Sequence, residues 1–175
     1  MIITIAGKPG SGKTTVAKML AVRLGYRYYS AGQRMKELAA KRNISLNRLL
    51  EQAASDPSID KEVDDWQVQL GKKEKKFVLD SRLGFHFISS SFKVFLDVDL
   101  DVSAERLYKG SHLGERTLKE TKEFIQRRID AEILRFSKQY QVNPFDFSHF
   151  NLVLITSALP PERIVQEILE RTKGK

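Results

Sequence analysis

The stretch Met1-Ile2-Ile3-Thr4-Ile5-Ala6-Gly7-Lys8-Pro9-Gly10-Ser11-Gly12-Lys13-Thr14 decides the architecture. Its isoleucine-rich start reads as a buried strand. Beyond it, Val16, Leu20 and Leu24 recur at helical spacing with Ala17 and Ala21 beside them, and Gly25 stops the helix. The glycines between strand and helix let the backbone curl until successive N–H groups point inward, where the helix dipole adds its positive end. Such a turn cradles the phosphates of a nucleoside triphosphate, and the spacing Gly7-x-x-x-x-Gly12-Lys13-Thr14 is the one that chemistry needs. Gly7, Lys8, Pro9, Gly10, Ser11, Gly12, Lys13, Thr14 and Thr15 form the expected donor-binding set, for ATP with Mg²⁺. Lys13 is expected to reach the β- and γ-phosphates and Thr14 to place its hydroxyl on the metal ion.

Working outward, residues 26–29 read as a second strand and the run from Gly32 to Leu70 as helices, broken near Asp56-Pro57. Residues 77–80 form a third strand ending in Asp80, which suits either a metal-holding acid or a plain turn residue. A fourth strand follows at 93–98, helices at 102–109 and 119–140, a fifth strand at 151–155, and a last amphipathic helix after Pro160-Pro161. Short apolar strands separated by helices imply a parallel sheet covered on both faces. The fold expected is α/β: a three-layer P-loop NTPase fold with a five-stranded parallel sheet and helices on both faces. Helical acceptor-binding and lid segments, about 32–70 and 106–140, are expected to complete one kinase domain over residues 1–175. Ligands of such sheets sit beyond the carboxyl ends of the strands, where Gly7, Ser30, Asp80 and Thr156 fall.

A chain of 175 residues suits one compact domain. The absence of cysteine excludes disulfides and thiolate chemistry, and fits a reducing, cytoplasmic location. No apolar run of about 18 residues is present, and residues 1–6 lack a basic n-region, so neither a membrane span nor a signal peptide is expected. A net charge of +8 fits a nucleic-acid surface, a site holding several phosphates, or scattered solvated lysines. The run Lys72-Lys73-Glu74-Lys75-Lys76 reads as the last of these, a polar turn before a strand.

The acceptor must be sought among the remaining polar residues. Arg128, Glu132 and Arg135 project from one helical face, with Arg116 and Arg127 near in sequence. They form either a solvated ion-pair ladder or a clamp in which arginines grip phosphate. His86, His112 and His149 have no triad or metal-ligand spacing and read as surface or packing residues.

Taken in order, these residues resemble the nucleoside-monophosphate kinases, and among them the short archaeal-type cytidylate kinases. The pieces are Gly7 to Thr14, Ser30-Ala31-Gly32, Ile59-Asp60-x-x-x-Asp64-x-x-Gln67, Asp80-Ser81-Arg82-Leu83, and Arg128-x-x-x-Glu132-x-x-Arg135-Phe136. The resemblance implies phosphoryl transfer from ATP to CMP or dCMP, with Lys13, Arg128 and Arg135 catalytic. It further implies an acceptor site of Ser30, Lys36, Asp60, Asp64, Gln67, Arg82, Arg128, Glu132 and Arg135, and a metal site of Thr14 and Asp80. Small-molecule nucleotides are the expected partners of a monomer, with no membrane or nucleic-acid role.

The chain departs from the family pattern at Gln33 (usually Asp), Lys36 (usually Arg), Ser81 (usually Gly) and Asn151 (often Asp). Those departures keep open another acceptor, such as AMP, UMP or a non-nucleotide. The basic balance and Trp66 keep open an ATP-binding regulatory module that contacts RNA or protein.

Overall fold

The computed structural model describes residues 1–53, 55–109 and 117–174; Arg116 and His112 lie outside the described residues. The chain begins with β1 (Ile2–Gly7), α1 (Lys13–Leu24) and β2 (Arg27–Ser30). Three helices follow, α2 (Ala31–Lys41), α3 (Leu46–Ala53) and α4 (Pro57–Lys73), and then β3 (Phe77–Asp80). The second half runs α5 (Gly84–Phe87), β4 (Phe92–Asp97), α6 (Leu100–Lys109), α7 (Leu118–Tyr140), β5 (Leu152–Ile155) and α8 (Pro161–Thr172). The strands form one parallel sheet in the order β2-β3-β1-β4-β5.

Alternation along β1 builds the layers, because successive side chains of a strand point to opposite faces. Ile3 and Ile5 pack with Val16, Leu20, Val94, Leu96, Ile164 and Ile168, filling the layer under α1 and α8. On the other face Ala6 joins Phe85, Phe95, Phe136 and Val142, while Ile2 joins Leu70, Phe77, Leu79 and Ile88. Each fully buried side chain of this kind contributes about 1.5–3 kcal/mol. The central strands β1 and β3 are buried along their whole length, whereas edge strand β5 is half-buried and ends exposed.

Strand register gathers the chemistry at one end. Asp80 lies between Ile5 and Ser30 in the ladder, and Gly7 lies beside Leu96. Helix α7 starts on a capping box, in which Thr117 Oγ1 accepts from Glu120 N–H and Glu120 Oε2 accepts from Thr117 N–H. That closes two orphan donors and is worth about 1 kcal/mol.

Local differences from the sequence reading have local causes. Tyr26 donates its N–H to Ala21 O at 2.9 Å, closing α1, so β2 begins one residue later than expected. The run at 72–76 is only partly a turn: Lys72 and Lys73 finish α4, and Glu74 accepts from Tyr29 Oη at 2.5 Å and pairs with Arg27 at 3.2 Å. Helix α5 is four residues long, too short to leave a periodic signal. Among the described residues no helix is long and apolar enough to cross a membrane.

Candidate active site

The glycine-rich turn after β1 has the form its sequence implies. Gly7 (φ 150°), Gly10 (φ 72°) and Gly12 (φ 83°) all carry positive φ. At Gly7 a Cβ would sit 2.2 Å from Leu96 O, and at Gly10 2.6 Å from Ser103 Oγ, so neither tolerates a side chain. Helix α1 opens on Gly12 with no side-chain cap and no acid in its first turn, leaving its first N–H groups for an anion. Lys13 folds back over the loop and donates to Lys8 O at 2.7 Å. The loop is braced from outside: Lys8 pairs with Asp97 at 2.7 Å, Ser103 Oγ donates to Pro9 O at 2.8 Å, and Arg106 donates to Gly10 O at 3.2 Å. Arg106 also reaches Thr156 O at 2.7 Å, tying loop, α6 and the end of β5 together.

Thr14 Oγ1 donates to Asp80 Oδ2 at 2.6 Å, so the two residues expected to hold a metal meet. Both offer hard oxygen ligands, the type Mg²⁺ takes. No group of three or more His, Asp or Glu side chains suited to a metal occurs among the described residues. A divalent ion here would therefore draw its other ligands from phosphate oxygens and water, the usual state of Mg²⁺ at a nucleotide. Burial pushes the nearby Tyr28 phenol up, and Asp80 adds to that push.

Facing the loop is a cationic cluster. Arg82, just past β3, donates to Gly7 O at 2.5 Å and pairs with Glu132 at 3.1 Å. Glu132 also pairs with Arg128 at 3.1 Å, and Arg135 lies 3.7 Å from Asp60 on α4. The helical face at 128–135 is thus a candidate clamp built across three elements, with the half-buried Glu132 between two arginines. Lys13 is half-buried as a residue, with its ammonium group turned into the loop's interior. Burial there, followed by repulsion from Arg82, lowers its pKa from 10.5 to about 7. Burial likewise lowers Arg82 and raises Asp60.

Among the described residues, four buried side-chain atoms lack hydrogen-bond partners: Ser11 Oγ, Asp60 Oδ2, Glu132 Oε2 and Arg135 Nε. Glu132 Oε2 and Asp60 Oδ2 sit near arginines, but without hydrogen-bonding geometry. One atom belongs to the phosphate loop and three to the clamp, so the unmet polar capacity lies where a phosphate-rich ligand fits.

Other expected residues are placed differently. Asp64 and Gln67 join the cluster's edge: Gln67 Nε2 donates to Asp64 Oδ1 at 3.2 Å, and the Tyr140 hydroxyl donates to Asp64 Oδ2. Ser30 stands beside Asp80, but its oxygen caps α2 by accepting from Gln33 N–H at 3.2 Å. Lys36 is exposed on α2, outside the hydrogen-bonded cluster of described residues. Asn151 Oδ1 accepts from Lys93 N–H at the amino end of the sheet, a bond that an Asp oxygen would make as well. His149 stacks on Phe85, and His86 meets Phe87 and Tyr140. The spacing left Tyr28, Asp97, Arg106 and Tyr140 unremarked; strand ends at Asp97 and helical phase at Tyr140 were the available signals.

The cytidylate kinase-like family model matches residues 2–158. Cytidylate kinase of Methanobrevibacter smithii is 32% identical over 173 residues, covering 99% of this chain and 99% of the relative. That of Sulfolobus acidocaldarius is 36% identical over 172 residues, covering 97% of this chain and 92% of the relative. Among solved structures, a shikimate kinase from Bacteroides thetaiotaomicron aligns with TM-score 0.72 at 18% identity over 97% of each chain, a likeness of fold alone. Sequence match, sheet order and phosphate loop agree, and the chain belongs to the cytidylate kinase-like family.

Proposed function

We propose that this protein is a nucleoside monophosphate kinase that moves the γ-phosphoryl group of ATP to CMP or dCMP, giving ADP and CDP or dCDP. The observation that carries the reading is the placement of Arg82, which touches the donor loop at Gly7 O and the acceptor clamp at Glu132. Donor phosphates fit the loop, the acceptor phosphate fits among Arg82, Arg128 and Arg135, and the γ-phosphoryl group passes between them. The named cytidylate kinases at 32% and 36% identity support cytidine as the base.

An acceptor monophosphate is already a nucleophile near neutral pH, since its second ionisation falls near ~6. No general base is required, in keeping with histidines that serve packing. The new bond joins acceptor phosphate oxygen to γ-phosphorus, the bond to the β,γ-bridging oxygen breaks, and ADP leaves with that electron pair. Lys13 and the arginines offset charge on the transferring group, and Glu132 and Asp60 hold those arginines in place. Thr14 and Asp80 would hold Mg²⁺, which would supply charge neutralisation on the donor phosphates. We assign residues about 32–70 as the acceptor-binding flap and about 106–140 as the lid of a single kinase domain, residues 110–116 lying outside the described ones, with closure excluding water as a competing acceptor. Trp66 packs edge-on against Tyr29 with Arg34 over its ring, an arrangement that favours packing over RNA stacking.

The test is diphosphate formation from ATP and Mg²⁺ with CMP, dCMP, UMP, AMP and GMP in parallel. CMP or dCMP should lead the panel. A different best acceptor would keep the chemistry and overturn the base assignment, and no transfer at all would overturn both. Arg135→Ala should cut turnover at least about 10²-fold, as expected for loss of one electrostatic stabiliser. Steady-state kinetics showing near-normal turnover would return Arg135 to a solvated ladder.

A further inference from the structure

The loop after β3 carries Ser81 where the resembled kinases usually carry glycine, and the chemistry above makes no use of its hydroxyl. Ser81 is 5% exposed, and its backbone N–H continues the sheet by donating to Ile5 O at 3.1 Å. Its hydroxyl donates to Gln67 Oε1 at 2.5 Å. Gln67 is 2% exposed and passes its Nε2 on to Asp64, whose other oxygen takes the Tyr140 hydroxyl. Chemistry sets the direction of this chain. An ionised carboxylate only accepts, so Gln67 must turn its NH₂ to Asp64 and its carbonyl to Ser81. A glycine at position 81 would leave that buried carbonyl without this donor.

We propose that Ser81 is a positioning residue: through Gln67 it holds Asp64 ionised between α4 and α7, and so sets how tightly the acceptor nucleotide is bound. The proposal rests on the kinase reading for its effect on the acceptor, and on geometry alone for its effect on Asp64. Groups facing Asp64 come from each neighbouring element. On α4 these are Asp60, Asp65 and Gln67; on α7, Tyr140 and Arg135; from the loop after β3, Ser81 through Gln67. Burial is the largest influence and raises Asp64 to about 6, with Asp60 and Asp65 adding to it. The donor bond from Tyr140 and the charge of Arg135 oppose that rise. Without the Ser81 hydroxyl the Gln67 amide is free to rotate, Asp64 loses a fixed donor, and its proton binds more tightly. A protonated Asp64 no longer attracts Arg135 and holds Tyr140 less firmly. The tie between α4 and α7 then loosens on the acceptor side only.

The experiment uses the full chain as wild type, Ser81→Gly and Ser81→Ala. The Asp64 carboxyl is titrated by ¹³C NMR without nucleotide, and steady-state kinetics are run against CMP and against ATP. Wild type should titrate at about 6. Both variants should titrate about 0.5–1 pH unit higher, as expected for loss of one donor to a carboxylate. The acidic limb of kcat/KM for CMP should move up with it. Near pH ~5, below both midpoints, the KM for CMP should rise about 3–10-fold over wild type at the same pH, with kcat and the KM for ATP within about two-fold of wild type. An unmoved Asp64 midpoint in both Ser81 variants overturns the proposal. So does a loss spread equally over kcat and both KM values, the mark of a merely structural serine. The NMR titration needs no acceptor, so a wild type that ignores CMP overturns the function reading while the Ser81 relay is still decided by the titration.

Discussion

Lys13→Met is expected to lower phosphoryl transfer at least about 10³-fold while raising the melting temperature of the nucleotide-free protein. The loss follows from its position: Lys13 leads α1 at the phosphate loop, and without nucleotide its ammonium group rests on Lys8 O. The neighbouring cations are engaged elsewhere: Lys8 pairs with Asp97, while Arg82 and Arg106 reach the loop carbonyls of Gly7 and Gly10. The gain in stability follows from what holding that charge costs. Burial and Arg82 depress the Lys13 pKa to about 7 from 10.5, so the folded protein gives up a proton that the unfolded chain keeps. Below pH ~7 both states are charged and the folded state bears the whole penalty. Between pH ~7 and ~10.5 the unfolded state binds more protons, so stability from this group rises with pH and the penalty fades. The melting-temperature gain of Lys13→Met should therefore be largest at or below neutral pH and shrink toward alkaline pH. Calorimetry across that range, paired with a coupled kinase assay, checks both halves. Normal turnover would remove the phosphate-loop assignment, and a lower melting temperature would show that Lys13 is not held at a cost.

Arg82→Ala should be nearly as damaging, with kcat/KM down about 10³-fold for both substrates, because one guanidinium serves both halves of the site. Its removal takes the donor off Gly7 O and leaves Glu132, buried between α7 and the loop after β3, with the half-exposed Arg128 as its charge partner. An acid so placed turns from organiser into a repulsive charge facing incoming phosphate. Arg82→Lys should recover no more than about tenfold, since an ammonium cannot contact a carbonyl and a carboxylate through one planar fork. Single-turnover measurement with each substrate saturating in turn separates this from simple loss of binding. A defect confined to the acceptor's KM would mean that Arg82 serves only the acceptor side.

The expected strands at 77–80 and 151–155 and the long helix at 119–140 lie within a residue of the observed elements. The reason is that each carries its signal within itself, as an apolar run between breakers or as helical spacing. The phosphate loop was legible for the same cause: curl, dipole and Lys13 are all properties of eight neighbouring residues. Helical phase likewise put Arg128, Glu132 and Arg135 on one face, but left clamp and solvated ladder equal. The tertiary structure supports the clamp by bringing Arg82 and Asp60 from other elements within 3.1 Å and 3.7 Å of that face. Ser81 was visible as a departure from a family pattern, yet nothing near it in sequence pointed to Gln67. Lys36 shows the reverse, a residue marked by the pattern and left in solvent by the fold.

The sequence by itself thus determined the sheet, the donor loop and its chemistry, because short-range sterics and periodicity decide them. The candidate acceptor site depends on the strand order β2-β3-β1-β4-β5, which sets Gly7 against Leu96 and Asp80 against Ser30, and on the packing that brings α4 and α7 together at Asp60–Arg135 and Asp64–Tyr140. Contacts such as Lys8–Asp97, Arg82–Gly7 and Tyr140–Asp64 join residues far apart in the chain, and their geometry exists only once the layers have packed.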